Sequence, residues 1–115
     1  MLKLPKSRIL RRRNDFQKVH RFGKSYANRY LVLYVFTASG LEDKVGFAAG
    51  KKLGNAVARN RVKRLMRECY RLHQQDIKRD ICILLVGRKP AVEVKYNVIE
   101  KAFLNLGRKD EIFGR

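Results

Sequence analysis

The residues that point most clearly to a chemical role form a basic run between Lys51 and Arg71. Guanidinium and ammonium groups suit phosphate because they donate charge-assisted hydrogen bonds to anionic oxygens. The run holds one acid, Glu68, which cannot balance its cations by i,i+4 pairing as in an ordinary solvated helix face. We therefore expect it to bind RNA or DNA. Its basic residues are Lys51, Lys52, Arg59, Arg61, Lys63, Arg64, Arg67 and Arg71.

Side chains that could perform catalysis are sparse. Only Glu42-Asp43 and Asp110-Glu111 are adjacent acids, and no spacing is typical of a carboxylate metal site. His73 suits a helix C-terminus, while His20 suits either an RNA contact or simple packing. Walker, G-x-S-x-G and zinc-binding spacings are absent. The sequence thus predicts no catalytic and no metal site, and favours a binding protein over an independent enzyme.

The overall charge indicates the same kind of partner. The 115 residues contain 28 Lys and Arg against 10 Asp and Glu, giving a net charge of +18 and a pI near 10.6. This excess is more than solubility requires, and a polyanion explains it most economically. A membrane surface is the main competing partner, but basic membrane-binding helices need exposed Trp, Phe or Leu, and Trp is absent. We expect no membrane partner.

The sequence also shows neither a transmembrane helix nor a signal peptide. No window approaches the length of a transmembrane helix, and the N-terminal segment has charge without the apolar core of a signal peptide. Cys69 and Cys82 have no neighbouring ligand at metal spacing, so we interpret them as small buried hydrophobes in a reducing compartment. A cytoplasmic location follows.

Hydrophobic periodicity predicts how the basic run is held. From Val57 onward, a helical period places Lys63, Arg64 and Arg67 opposite an apolar face, with Arg61 at the edge. Asn55 is the expected N-cap, and Gly54 precedes it. The apolar face that we expect to pack on the core comprises Ala58, Val62, Leu65, Met66, Cys69 and Leu72.

The remaining elements complete one α+β domain of order α-β-β-β-α-β-α. We expect a two-layer sandwich with a four-stranded sheet and helices on one face. A basic N-terminal arm, residues 1–13, would be mobile and order on nucleic acid. The predicted helices span residues 16–21, 57–73 and 94–106, and the predicted strands span residues 24–27, 30–37, 45–49 and 81–86, with a surface turn at 38–44.

Within the basic helix, Arg59-Asn60-Arg61 followed by Val62-Lys63-Arg64 and Arg67-Glu68 resembles the motif of the bacterial ribonuclease P protein subunit. Further likeness lies at residues 15–19, at Gly23, between Ser25 and Tyr34, and at residues 88–91. The resemblance extends over about residues 8–106. It implies an α+β fold with a left-handed βαβ crossover, related to a domain of ribosomal protein S5.

The resemblance also implies a function. The family's ribonucleoprotein enzyme removes the 5′ leader of precursor tRNA, its RNA subunit holds the active site and most of the Mg²⁺, and no other protein is required. By position, the residues that would bind the catalytic RNA are Arg59, Asn60, Arg61, Lys63, Arg64 and Arg67. Those that would bind the leader, in a cleft between the first helix and the sheet, are Phe16, Tyr34, Lys51, Lys52, Arg88 and Lys89.

Alternatives exist at two levels. Phe16 and Tyr34 would be ordinary core aromatics if the cleft were filled, and His20 replaces an aromatic found in many family members, which makes a pH-sensitive contact conceivable. For the whole chain, the alternatives are a ribosomal or other structural RNA-binding protein and a protein-only nuclease. The lack of a credible acid or histidine site argues against the nuclease.

Overall fold

Four strands form one mixed sheet in the computed structural model, which describes residues 3–37 and 40–114. The strands are β1 (Lys24–Ala27), β2 (Leu31–Phe36), β3 (Val45–Ala49) and β4 (Cys82–Gly87), in the spatial order β1-β2-β4-β3. Strand β2 pairs antiparallel with β1 and β4, whereas β3 and β4 are parallel. The α+β class and the four predicted strands are confirmed.

Three α-helices follow the predicted order: α1 (Arg13–Phe22), α2 (Ala56–His73) and α3 (Tyr96–Lys109). In α2 the predicted cap is confirmed, because the Asn55 side chain accepts a hydrogen bond from the Ala58 N–H at 3.0 Å. Helix α1 is longer than predicted at both ends, since it begins at Arg13, after the N-cap Arg12, and ends at Phe22. Short 3₁₀ turns occupy Lys6–Arg8, Lys51–Leu53, Gln74–Asp76 and Lys89–Glu93.

The sheet carries helices on both faces. Helices α2 and α3 cover the face of β2 that presents Leu31, Leu33 and Val35, as the two-layer prediction requires. Helix α1 lies on the opposite face, where fully buried Val19 packs with Leu84 and other residues of a smaller cluster. The prediction of helices on one face is therefore incomplete. The reason is that β4 is apolar on both sides, and its second side also has to be covered.

The chain passes from β3 through α2 to β4, and these two strands are neighbours, which forms a βαβ unit. The left hand of this crossover stays a prediction from the resemblance. Gly87, at the end of β4, allows close contact with α2: a Cβ there would approach Val62 Cγ1 to 2.5 Å. The first turns of α2 are thus held near the carboxyl end of the sheet.

The N-terminal segment lies against the domain over residues 3–12, in contrast to the expected mobile arm. Arg8 donates hydrogen bonds to Asp43, Gln74 and the Tyr70 hydroxyl. Leu10 is buried, and its N–H donates to the Val45 carbonyl at 2.7 Å. Residues 1 and 2 of the arm, and residues 38 and 39 of the predicted 38–44 turn, lie outside the described part of the chain. None of the described helices could cross a membrane.

Candidate nucleic-acid interface

The sheet face beside α1 has an apolar floor that α1 covers only in part. Strand register aligns Ala27, Val32, Val86 and Ala48 in one row across the sheet, and the last three are half-buried. The neighbouring row contains Tyr34 and Gly46 and runs beneath α1. A shallow cleft results, with α1 as its wall and small aliphatic side chains as its floor.

Three rings line this cleft. Phe16 and His20 are one helical turn apart on α1, and the His20 ring centroid lies 5.0 Å from that of Tyr34 at an angle of 38°. Phe16 and Tyr34 are both half-buried and pack at the border of the smaller core. Each ring is therefore supported by the fold while part of its surface faces solvent. Phe16 and Tyr34 pack on the smaller core and are partly exposed at once, so their role in binding stays a prediction.

Basic side chains gather where the strands end. Strands β3 and β4 are parallel, so Lys51 and Lys52 after β3 come to the same edge of the sheet as Arg88 and Lys89 after β4. All four are exposed. Arg29, in the β1–β2 turn, is at this edge too and was missed by sequence reasoning, although its place two residues after a strand is shared with Lys51 and Lys89. We call Arg29, Lys51, Lys52, Arg88 and Lys89 the basic edge.

Helix α2 begins at the basic edge and continues it along its surface. Asn60, Arg64 and Arg67 are exposed, and Arg59 and Lys63 are half-buried. These five residues form what we call the α2 stripe. No acid lies in the first turn of α2, so the helix dipole adds to the positive potential at this end. Basic edge and stripe therefore adjoin where α2 begins.

Arg61 differs from its neighbours in the Arg-Asn-Arg motif. Its guanidinium donates to the Val92 carbonyl at 3.1 Å and the Val94 carbonyl at 2.9 Å. These bonds tie the 3₁₀ turn Lys89–Glu93 to α2 and so fix the neighbouring Lys89 relative to the stripe. Arg61 thus stabilises the contact between α2 and this turn, in addition to its predicted contact with RNA.

Several ionisable groups outside this surface are engaged in the fold. His73 Nε2 lies 2.8 Å from Glu100 Oε2, and this hydrogen bond holds the pKa of the Glu100 carboxyl below its ordinary range. Burial raises the pKa of the Cys69 and Cys82 thiols to about 12. No three His, Cys, Asp or Glu residues of the described ranges come together as metal ligands.

Fold and surface define a class: a small basic α+β domain that offers aromatic rings in a cleft and arginines on a helix, the combination used to bind single-stranded and structured nucleic acid. The family model described as Ribonuclease P matches residues 4–110. The chain belongs to the ribonuclease P protein family.

Relatives and solved structures agree with this assignment. The chain is 41% identical over 103 residues to the ribonuclease P protein component of Natranaerobius thermophilus, covering 90% of each chain. Its structure matches the RNase P protein of Staphylococcus aureus with a TM-score of 0.84 and 30% identity, over 95% of this chain and 100% of that chain. The Thermotoga maritima RNase P protein matches with a TM-score of 0.75 and 30% identity, over 86% and 94%.

The family membership establishes the general function. Ribonuclease P is a ribonucleoprotein endoribonuclease of tRNA processing, and chains of this family are its accessory protein subunit, with RNA as their partner. The predicted family, fold class and function are confirmed. The roles assigned to single residues stay predictions.

Proposed function

We propose that this protein binds the catalytic RNA of ribonuclease P through the α2 stripe and holds the 5′ leader of precursor tRNA in the cleft between α1 and the sheet. The observation that carries the proposal is the basic edge, which lies at the strand ends where the cleft floor ends and α2 begins. An RNA bound on α2 and a leader in the cleft would then meet at the strand ends.

The cleft suits a single strand of variable sequence. Every nucleobase has a π-face, so rings such as Phe16 and Tyr34 stack on bases without selecting among them. Phosphates of the same strand would lie toward Lys51, Lys52, Arg88 and Lys89, with Arg29 beside them.

The α2 stripe suits a structured RNA. Its side chains project from a rigid helix at fixed spacing, which allows them to match a row of phosphates. Arg59, Asn60, Lys63, Arg64 and Arg67 would make these contacts directly. Arg61 would contribute mainly by holding the Lys89–Glu93 turn in place, with its remaining N–H donors directed to RNA.

The Mg²⁺ required for cleavage belongs mainly to the RNA subunit in this proposal. The described residues of the protein do not fit the metal, because they bring no cluster of potential ligands together. The protein would lower the Mg²⁺ demand by neutralising phosphate charge with lysine and arginine. We place the protein in the cytoplasm with precursor tRNA, and the proposal needs no membrane and no second protein partner.

Cleavage of a precursor tRNA by a bacterial ribonuclease P RNA at low Mg²⁺ tests the proposal, with RNA alone, protein alone, and both. Efficient cleavage only when both are present supports it. Cleavage by the protein alone would mean that an active site lies in the chain itself. If adding the protein changes nothing, a structural RNA-binding role such as a ribosomal one becomes the better assignment.

A further inference from the structure

A hollow of about 670 Å³ lies on the side of α2 that faces the start of α3. This size falls in the range of small-molecule pockets, about 300–1,000 Å³. Leu65 and Leu72 form its floor on α2, Tyr96 of α3 closes one side, and Leu4 of the N-terminal segment closes another. We call it the α2–α3 hollow. It is separate from the cleft, which lies on the opposite face of the sheet.

The apolar floor of the hollow is unusual for the surface of a highly charged helix. The periodicity of the sequence predicts that Leu72 packs on the core, yet 41% of it is exposed, and Leu65 is only half-buried. Tyr70 packs in the core instead, and only 2% of it is exposed. Leu72 is therefore partly exposed beside a tyrosine ring, and Leu65, two turns earlier, is only partly covered by the core.

Arginines surround this apolar floor. Arg64 and Arg67, which belong to the α2 stripe, are exposed at its rim, and Arg71 lies beside Leu72. Glu68, the acid in the lining, is held by Arg71 through bonds of 2.7 and 2.9 Å. The charge that remains for a ligand is positive. An occupant must therefore combine a flat or apolar body with negative charge.

We propose that the α2–α3 hollow binds an unpaired nucleotide of the partner RNA, with the base against Leu65, Leu72 and Tyr96 and its phosphates toward Arg64 and Arg67. This inference rests on the proposed binding of RNA by the α2 stripe. A nucleotide is favoured over an apolar protein segment because the rim carries arginines, and because Arg64 and Arg67 are shared with the stripe.

The N-terminal segment gives the hollow its shape. Gln74 Nε2 donates to the Lys3 carbonyl at 2.8 Å, and Arg8 anchors the same segment to Asp43. These two contacts hold the segment on either side of Leu4, and the Leu4 side chain lines the hollow. The segment thus contributes to RNA binding by completing an apolar site as well as by its charge.

Filter binding of the protein to an in vitro transcribed bacterial ribonuclease P RNA, over a series of salt concentrations, tests the proposal. Leu72→Ala should lower the affinity about 5- to 10-fold by removing base contact, with the salt dependence unchanged because no charge is lost. Val57→Ala is the matched control, since Val57 is 77% exposed on the same helix but lies outside the hollow. Thermal melting of both variants checks that the fold is intact.

The outcomes separate this proposal from the one on which it rests. Should Leu72→Ala bind as tightly as Val57→Ala while Arg64→Ala binds more weakly, the hollow is not a nucleotide site but the stripe still binds RNA. Unchanged affinity in all three variants would remove both assignments. Loss of self-association by Leu72→Ala in sedimentation of the protein alone, without loss of RNA affinity, would identify a second copy of the chain as the occupant and overturn the proposal.

A photo-crosslinking residue at position 72 provides a direct readout. Reverse transcription of the crosslinked RNA should stop at one unpaired nucleotide. Stops distributed along paired helices would contradict the proposal, because a base in a helix cannot enter the hollow.

Discussion

The Phe16 ring lies directly against Gly46 of β3: a Cβ on this glycine would approach Phe16 Cε1 to 2.9 Å. Any side chain at this position would therefore push the ring away from the sheet. Gly46 aligns through β4 with Tyr34 of β2, so the glycine allows α1 to approach the sheet and brings both rings to the same cleft. The spacing of the Phe16 and Tyr34 rings therefore depends on a residue that has no side chain.

Phe16→Ala should weaken binding of precursor tRNA to the assembled enzyme by about 5- to 100-fold, the range expected for losing the stacking of one base. Mature tRNA without a leader should bind unchanged. The comparison is made by equilibrium binding of both RNAs to the holoenzyme. Phe22→Ala serves as the control, because Phe22 is 66% exposed at the end of the same helix. Equal losses for both RNAs with an intact fold would contradict the cleft assignment.

Arg61→Ala and Arg64→Ala should have different effects on the stability of the fold. Removing Arg61 leaves the carbonyls of Val92 and Val94 without their charged donor, so we expect the free energy of unfolding to fall by about 2 kcal/mol. Arg64 is exposed, and its removal should change the stability by less than about 0.5 kcal/mol. Urea denaturation of the two variants measures this difference.

The same pair should differ in RNA binding. Losing one phosphate contact at Arg64 should reduce the slope of log affinity against log salt by about 0.7–0.9. Binding titrations at several salt concentrations measure the slope. An Arg61 variant of wild-type stability, with a slope reduced as in Arg64→Ala, would show that its carbonyl bonds are not important to the fold.

Arg8→Ala should release the N-terminal segment from the domain. The guanidinium donates to Asp43 Oδ1 at 2.8 Å and to the Tyr70 hydroxyl at 3.1 Å, and both acceptors would lose a charged donor. We expect faster tryptic cleavage at residues 11–13, since mobile backbone is the preferred protease substrate. Lys6→Ala, an exposed change in the same segment, is the control. Equal digestion rates for the two variants would argue that Leu10 alone holds the segment.

Stability should depend on pH through Glu100. Its hydrogen bond to His73 lowers the carboxyl pKa from the ordinary value of 4.5. A carboxyl with a lowered folded pKa stabilises the fold above its unfolded pKa, and this contribution is lost as pH falls through the folded value. Glu100→Gln should therefore lower the free energy of unfolding at pH 6 by no more than about 1 kcal/mol, because the pair is partly exposed, and should flatten the decline of Tm below about pH 5.

Thermal melting of wild type and Glu100→Gln between pH 6 and pH 3 measures this effect. Glu93→Gln, which alters an exposed acid just before α3, is the matched control. Parallel Tm profiles for all three proteins would mean that the His73–Glu100 contact does not contribute to stability.

Much of the fold could be predicted because each element has a clear period. Strands β1 and β3 and the cap at Asn55 agree with prediction residue by residue. The buried face of α2 was predicted less well, since Tyr70 is in the core and Leu72 is exposed. A helical period gives the relative angles of side chains, but the contacts that select the buried angle, such as Arg8 with Tyr70, come from residues distant in sequence.

The candidate site could be predicted as a set of residues but not as an arrangement. The parallel pairing of β3 and β4 brings Lys51 and Arg88 to one edge, and neither their spacing nor their types contain this information. The bonds of Arg61 with carbonyls more than 30 residues away were equally invisible, because backbone acceptors have no sequence signal. The charge of these residues could be read from the sequence, but their positions and hydrogen bonds in the fold could not.

The position of β4 between β2 and β3 also constrains how the protein is made. A nascent chain that stops before Cys82 lacks the strand to which both neighbours are bonded, so β2 and β3 cannot join one sheet. Pairings between distant segments form slowly because their loops must close first. Until β4 has left the ribosome, α2 lacks the central strand of the sheet on which it packs. The proposed RNA-binding surface, which includes Arg88 and Lys89 after β4, is therefore completed late in synthesis.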